Sequence, residues 1–153
     1  MSEVRVAYSE GQIGRIVMAR ILPGTDVFEG ITKILQEKNI QNGWVSMIGS
    51  LEKTSYFYLE KNESKLGAGY GPANDRTFPV ELCGAMGLIC QGGLHIHASM
   101  CGDDGVFYGG HMIGGSSPSL ATVELMIVEV VGGNYERKYD EEAEGNHFFA
   151  WED

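Results

Sequence analysis

The stretch Leu94 to Met112, LHIHASMCGDDGVFYGGHM, leaves little local choice: two β-rich runs meet at Gly102, Asp103, Asp104 and Gly105, a turn signal of the kind that joins antiparallel strands. It also holds three of the four histidines of the chain. A strand turns alternate side chains to one face, so His95 and His97 project together. With Asp104 at the centre of the turn, His97 lies opposite His111 and the three imidazoles converge. A slip of one residue sends His111 to the other face.

The flanks carry the same punctuation by glycine. Residues Met1 to Gly14 are polar and read as an arm or a short edge strand, and Arg15 to Leu22, RIVMARIL, is a strand rich in branched side chains. Pro23 and Gly24 stop it. Thr25 or Asp26 then caps a helix through Lys38, with Val27, Phe28, Ile31, Ile34 and Leu35 at helical spacing. Strands follow at Trp44 to Ile48, Thr54 to Leu59 and Phe78 to Cys90, with a loop of charge and glycine from Glu60 to Asp75. Beyond the histidine hairpin, Gly114 to Pro118 form a turn and Leu120 to Val131, LATVELMIVEVV, a long apolar strand. Tyr135 to Tyr139 and His147 to Trp151 read as short strands around an acidic loop from Asp140 to Asn146. One helix among many strands joined by short turns implies an α+β fold with a largely antiparallel sheet.

At 153 residues the chain fits one domain, spanning 1–153 with a core of about 15–140. The formal net charge of −10 repels phosphate backbones, and Arg15, Arg20, Arg76 and Arg137 are scattered, so nucleic-acid binding is disfavoured. Three cysteines without CxxC spacing argue for reduced thiols rather than a disulfide framework or a cysteine zinc site. No stretch reaches the ~18 apolar residues of a membrane span and no leader pattern opens the chain. The expectation is a cytoplasmic protein without a membrane partner.

The order of the signals resembles the PPC domain, the plant and prokaryote conserved domain of unknown function found beside AT-hooks in plant nuclear proteins. The resembling stretches are RILPGTDVFEGI (Arg20 to Ile31), NGWVSMIGSL (Asn42 to Leu51), FPVELCGAMG (Phe78 to Gly87), LHIHASM (Leu94 to Met100), GGHMIGG (Gly109 to Gly115) and ATVELMIVEV (Ala121 to Val130). The resemblance implies an α/β fold with a twisted, mainly antiparallel sheet, assembled as a homotrimer. Prokaryotic members are usually stand-alone domains with a provisional DNA-binding label. The AT-hook of the plant proteins is absent from this sequence, so that label does not carry over with the motif.

Two readings of the histidines stand side by side. His95, His97 and His111 form a three-nitrogen site for zinc or another divalent metal, with an open position for water or a small ligand; or they are hydrogen-bonded strand histidines packing a subunit contact. Gly109 and Gly110 give room for close approach beside His111. Glu124, inside an apolar strand, is either a structural hydrogen-bonding group or, in a metal-dependent hydrolase or lyase acting on a small polar molecule, the general base. Glu81 reads as a solvated strand residue or a partner of Arg20. Cys101 reads as an inert thiol, Asp103 and Asp104 as turn residues, and His147 as a surface side chain. No phosphate loop or nucleophile elbow is present, so an enzyme here would be metal-dependent.

Overall fold

In the computed structural model, which describes residues 3–63, 65 and 69–152, the strand read at Arg15 to Leu22 extends over Gln12–Ile21 (β1). Its first residues are recruited by pairing with Val130 and Val131, across an irregularity between Ile13 and Ile16. Asp26 then caps the helix Val27–Lys38 (α1), its Oδ1 accepting from the Phe28 and Glu29 amides at 2.9 and 3.3 Å. Its Oδ2 accepts from the Ser117 amide at 2.8 Å, so one carboxylate ties the helix start to a turn far along the chain. Asn39, left-handed at φ 51°, ends the helix.

The strands Gly43–Leu51 (β2), Thr54–Phe57 (β3), Asn74–Arg76 (β4), Val80–Cys90 (β5), Gly93–Cys101 (β6), Phe107–Met112 (β7) and Ser119–Val131 (β8) join β1 in one eight-stranded sheet. Its order is β1-β8-β2-β5-β6-β7-β3-β4, antiparallel throughout. Asn134–Asp140 (β9) and Gly145–Trp151 (β10) form a separate antiparallel hairpin. The loop expected from Glu60 to Asp75 contains the bridge Leu59 to Tyr70 and ends in β4; its Ser64 and residues 66–68 lie outside the described residues.

The mainly antiparallel sheet and the one helix agree with the sequence reading, but the α+β class needs correcting. Strand accounts for 57% of the described residues and helix for 8%, so the fold is mostly β. The physical reason is that only Val27 to Lys38 carries helical periodicity, while the glycine-punctuated remainder satisfies its backbone by pairing strand to strand.

α1 covers one face of the sheet. Val27, Ile31 and Leu35 pack with Ile21, Val45, Leu82, Ile96, Val123 and Ile127 in the core, each such burial contributing about 1.5–3 kcal/mol. The alternate residues turn to the opposite face, where Met18, Ile48 and Met86 stand exposed. That open face carries the histidines.

Candidate metal centre

Ile96, Ala98 and Met100 of β6 point into the core, so His95 and His97 must point away from it. The turn places His97 opposite His111 and Cys101 opposite Phe107, which centres it on Asp104. Gly105, at φ 72°, takes the left-handed position, and Asp104 Oδ1 accepts from the Val106 amide at 2.9 Å, holding the turn and with it the register. Gly109 and Gly110 lie where a Cβ would collide with the carbonyl oxygens of Ala98 and Phe57, so β7 approaches both neighbours closely beside His111.

The three imidazoles converge. One ring nitrogen from each lies within 4.8 Å of the others, and the Nε2 atoms of His95 and His97 are 3.1 Å apart. A tetrahedral zinc with Zn–N bonds of ~2.0–2.1 Å sets its ligands about 3.4 Å apart, so small side-chain adjustments bring all three nitrogens onto one ion. Phe57 and Tyr70 stand against His111, with ring centroids at 6.4 and 6.3 Å. Met86 and Leu88 lie opposite His97 and His95 on β5.

These surroundings keep the rings neutral. Burial pushes His95 down to about 4, helped by the positive charge of Arg137 and by the neighbouring imidazoles. Burial likewise lowers His97 and His111, the latter also through His97 and Arg137. A neutral imidazole has the free lone pair that a metal requires.

Other residues singled out in the sequence lie elsewhere. Glu124 is exposed on the open face of β8, opposite Arg20 on β1 and Ile48 on β2. Through the paired residues Met126, Ser46, Met86 and His97, it is three strand spacings from β6, roughly 14 Å, and is not brought to the histidines within one chain. The buried carboxylate of this strand is instead Glu129, only 7% exposed, whose oxygens accept from the Arg15 backbone amide at 2.9 Å and from its guanidinium at 2.6 and 2.7 Å. Arg20 does not reach Glu81; it donates to Thr122 Oγ1 at 2.9 Å. Cys101 is half-buried at the hairpin end, its thiol donating to the Gly102 carbonyl oxygen at 3.6 Å.

His147 is the larger departure from expectation. It is half-buried, its enclosed Nε2 has no hydrogen-bond partner among the described residues, and it lies close enough to His95 to oppose protonation there. Arg137, opposite Phe148 in the same hairpin, does so too. No local pattern in the sequence marks either residue, because it is the folding back of β9 and β10 that brings them to the site.

Comparison with known proteins bears on fold and family. The chain superposes on a metal-containing protein from Archaeoglobus fulgidus with a TM-score of 0.77, at 25% identity over 98% of this chain and 100% of that one. A plant- and prokaryote-conserved (PPC) protein from Pyrococcus horikoshii matches with a TM-score of 0.76, at 20% identity over 94% and 95% of the two chains. Over 127 residues the sequence is 24% identical to the bifunctional protein GlmU of Synechococcus sp., covering 82% of this chain; it spans only about a fifth (19%) of that curated relative's length. The model of the Plants and Prokaryotes Conserved (PCC) domain matches residues 8–131, and the chain belongs to that family.

Proposed function

We propose that His95, His97 and His111 hold a divalent metal, zinc foremost, and that the chain acts as a trimeric metal- or small-ligand-binding regulatory module. The observation that carries this reading is the approach of three ring nitrogens to within 4.8 Å on one face of a hairpin. Imidazole nitrogens suit zinc among other transition metals, and three protein ligands leave a fourth position open. Bound there, the metal supplies a Lewis-acidic position for water or a small ligand. The chain's own part is to fix the hairpin register, keep the rings neutral and line the site with Phe57, Tyr70 and Leu88. The metal-containing relative from A. fulgidus supports the same reading.

The trimer rests on the family resemblance, and the exposed Met18, Ile48 and Met86 give such an assembly an apolar surface to cover. A formal charge of −10 opposes a phosphate backbone, so DNA is not part of this reading. A hydrolase or lyase with Glu124 as general base would need that carboxylate beside the metal, and no observation within one chain favours it.

Elemental analysis of untagged protein tests the metal. Stoichiometric metal is expected in the wild type and lost in His97→Ala, with the circular dichroism of the variant unchanged. Wild-type protein without stoichiometric metal, together with an unaffected His97→Ala, would overturn it.

A further inference from the structure

The site has an uneven charge distribution. Its grouped ligands are three imidazoles with no carboxylate among them, and their neighbours across β5 are Met86 and Leu88. A divalent ion on three neutral rings leaves two positive charges uncompensated beside those apolar side chains.

The β9–β10 hairpin adds a cation. Tyr135, Arg137 and Phe148 share one hairpin face: Arg137 is paired with Phe148, whose ring stacks on Tyr135 at 5.7 Å. This face packs against the end of the sheet, where Tyr135 and Phe148 line a cavity of about 170 Å³ together with Leu88, the residue opposite His95. Arg137 shares that face with Tyr135 and Phe148, on the hairpin whose packing reaches Leu88 beside His95.

Its guanidinium Nη2 donates to the Asn146 carbonyl oxygen at 2.6 Å, and among the described residues no carboxylate is paired with it. Glu136, the adjacent acid, is held by Lys138. Arg5 and Arg15, by contrast, each have a carboxylate. The buried Nε2 of His147, without a hydrogen-bond partner among the described residues, belongs to the same hairpin.

Resting on the metal reading above, we infer that the open coordination position and Arg137 together receive a small organic carboxylate, shared between the ion and the guanidinium. The charge argument calls for an anion, and the planar donor fork of an arginine matches a carboxylate. The apolar side chains of Phe57, Tyr70 and Leu88 favour an organic remainder over a bare inorganic oxyanion. Arg137 and His147 both lie beyond residues 8–131, so this specificity comes from a hairpin outside the matched family core.

The test uses the full chain loaded with cobalt(II), whose visible bands report the coordination sphere. Acetate is titrated at constant ionic strength, with sulfate and chloride as comparison anions. A saturable spectral change is expected with acetate and not with sulfate or chloride. Arg137→Gln should bind cobalt at least as tightly as wild type but acetate about tenfold more weakly, with Arg137→Lys recovering part of the loss. In zinc-loaded wild-type protein the Arg137 Nε–H resonance should shift as acetate is added, a readout that does not depend on any variant folding.

Equal responses to all three anions, or acetate affinity unchanged in Arg137→Gln with the Arg137 resonance unmoved, would overturn the carboxylate site while leaving the metal in place. Failure of wild-type protein to bind cobalt, or equal binding by His97→Ala, would overturn the metal reading and this inference with it.

Discussion

His97 and His111 face each other directly across the β6–β7 hairpin, and His95 joins them from two residues back along the same strand. That juxtaposition depends on a turn centred on Asp104, so the register of one hairpin decides whether the chain has a three-imidazole site at all.

Inserting one glycine between Asp103 and Asp104 shifts the pairing by a residue on one strand. His111 should leave the face shared by His95 and His97, and zinc affinity, measured against a competing chelator, should fall by more than about a hundredfold. Affinity unchanged in a folded insertion variant would show that His111 is not needed.

Gly110 is held at φ 148°, and a Cβ there would meet the Phe57 carbonyl oxygen, which belongs to paired backbone and cannot move aside. Gly110→Ala should lower unfolding free energy by about 2 kcal/mol or more in urea. Gly105→Ala, at φ 72° in open space, should cost only about 1 kcal/mol. The reverse order would argue against the close approach of β7 to β3.

Asp26 carries three backbone amides, two at the start of α1 and one at Ser117. Asp26→Ala should cost about 2 kcal/mol by chemical denaturation, and Asp26→Asn clearly less, because the remaining carbonyl oxygen still accepts.

Acid should act in two windows. His95 is lowered to about 4 from an ordinary 6.5, so as the pH falls below 6.5 the unfolded chain takes up a proton that the native protein refuses. Metal-free stability should therefore decline from about pH 6.5 to about 4, and His95→Ala should flatten that slope. Glu129, lowered to about 2 chiefly by its hydrogen bonds with Arg15, contributes stability that is complete above 4.5 and lost toward 2. Urea unfolding in the presence of a chelator across this range reads both; an unaltered upper slope in His95→Ala would contradict the first.

What was legible in the sequence was whatever is local. The spacing of Val27, Ile31 and Leu35 marks the helix, and the glycine-flanked aspartates mark the hairpin; its register is conditional on Asp104 as the centre of the turn until the pairing of His97 with His111 supplies it. Glu124 lies inside an apolar run yet stands exposed, because β8 turns alternate residues to opposite faces. Val123, Leu125, Ile127 and Glu129 turn inward, so the enclosed carboxylate is Glu129 and its partner Arg15 is 114 residues away. The influence of His147 and Arg137 on His95 was beyond reach for the same reason: it depends on the packing of Tyr135 and Phe148 near Leu88, a tertiary contact that no periodicity records.

The most direct test of the metal centre is anomalous scattering at the zinc edge from crystals grown with one equivalent of zinc. The expected result is a single strong peak about 2.0–2.1 Å from a ring nitrogen of each of His95, His97 and His111. A map without such a peak, with His95 and His97 simply hydrogen-bonded to each other, would contradict it.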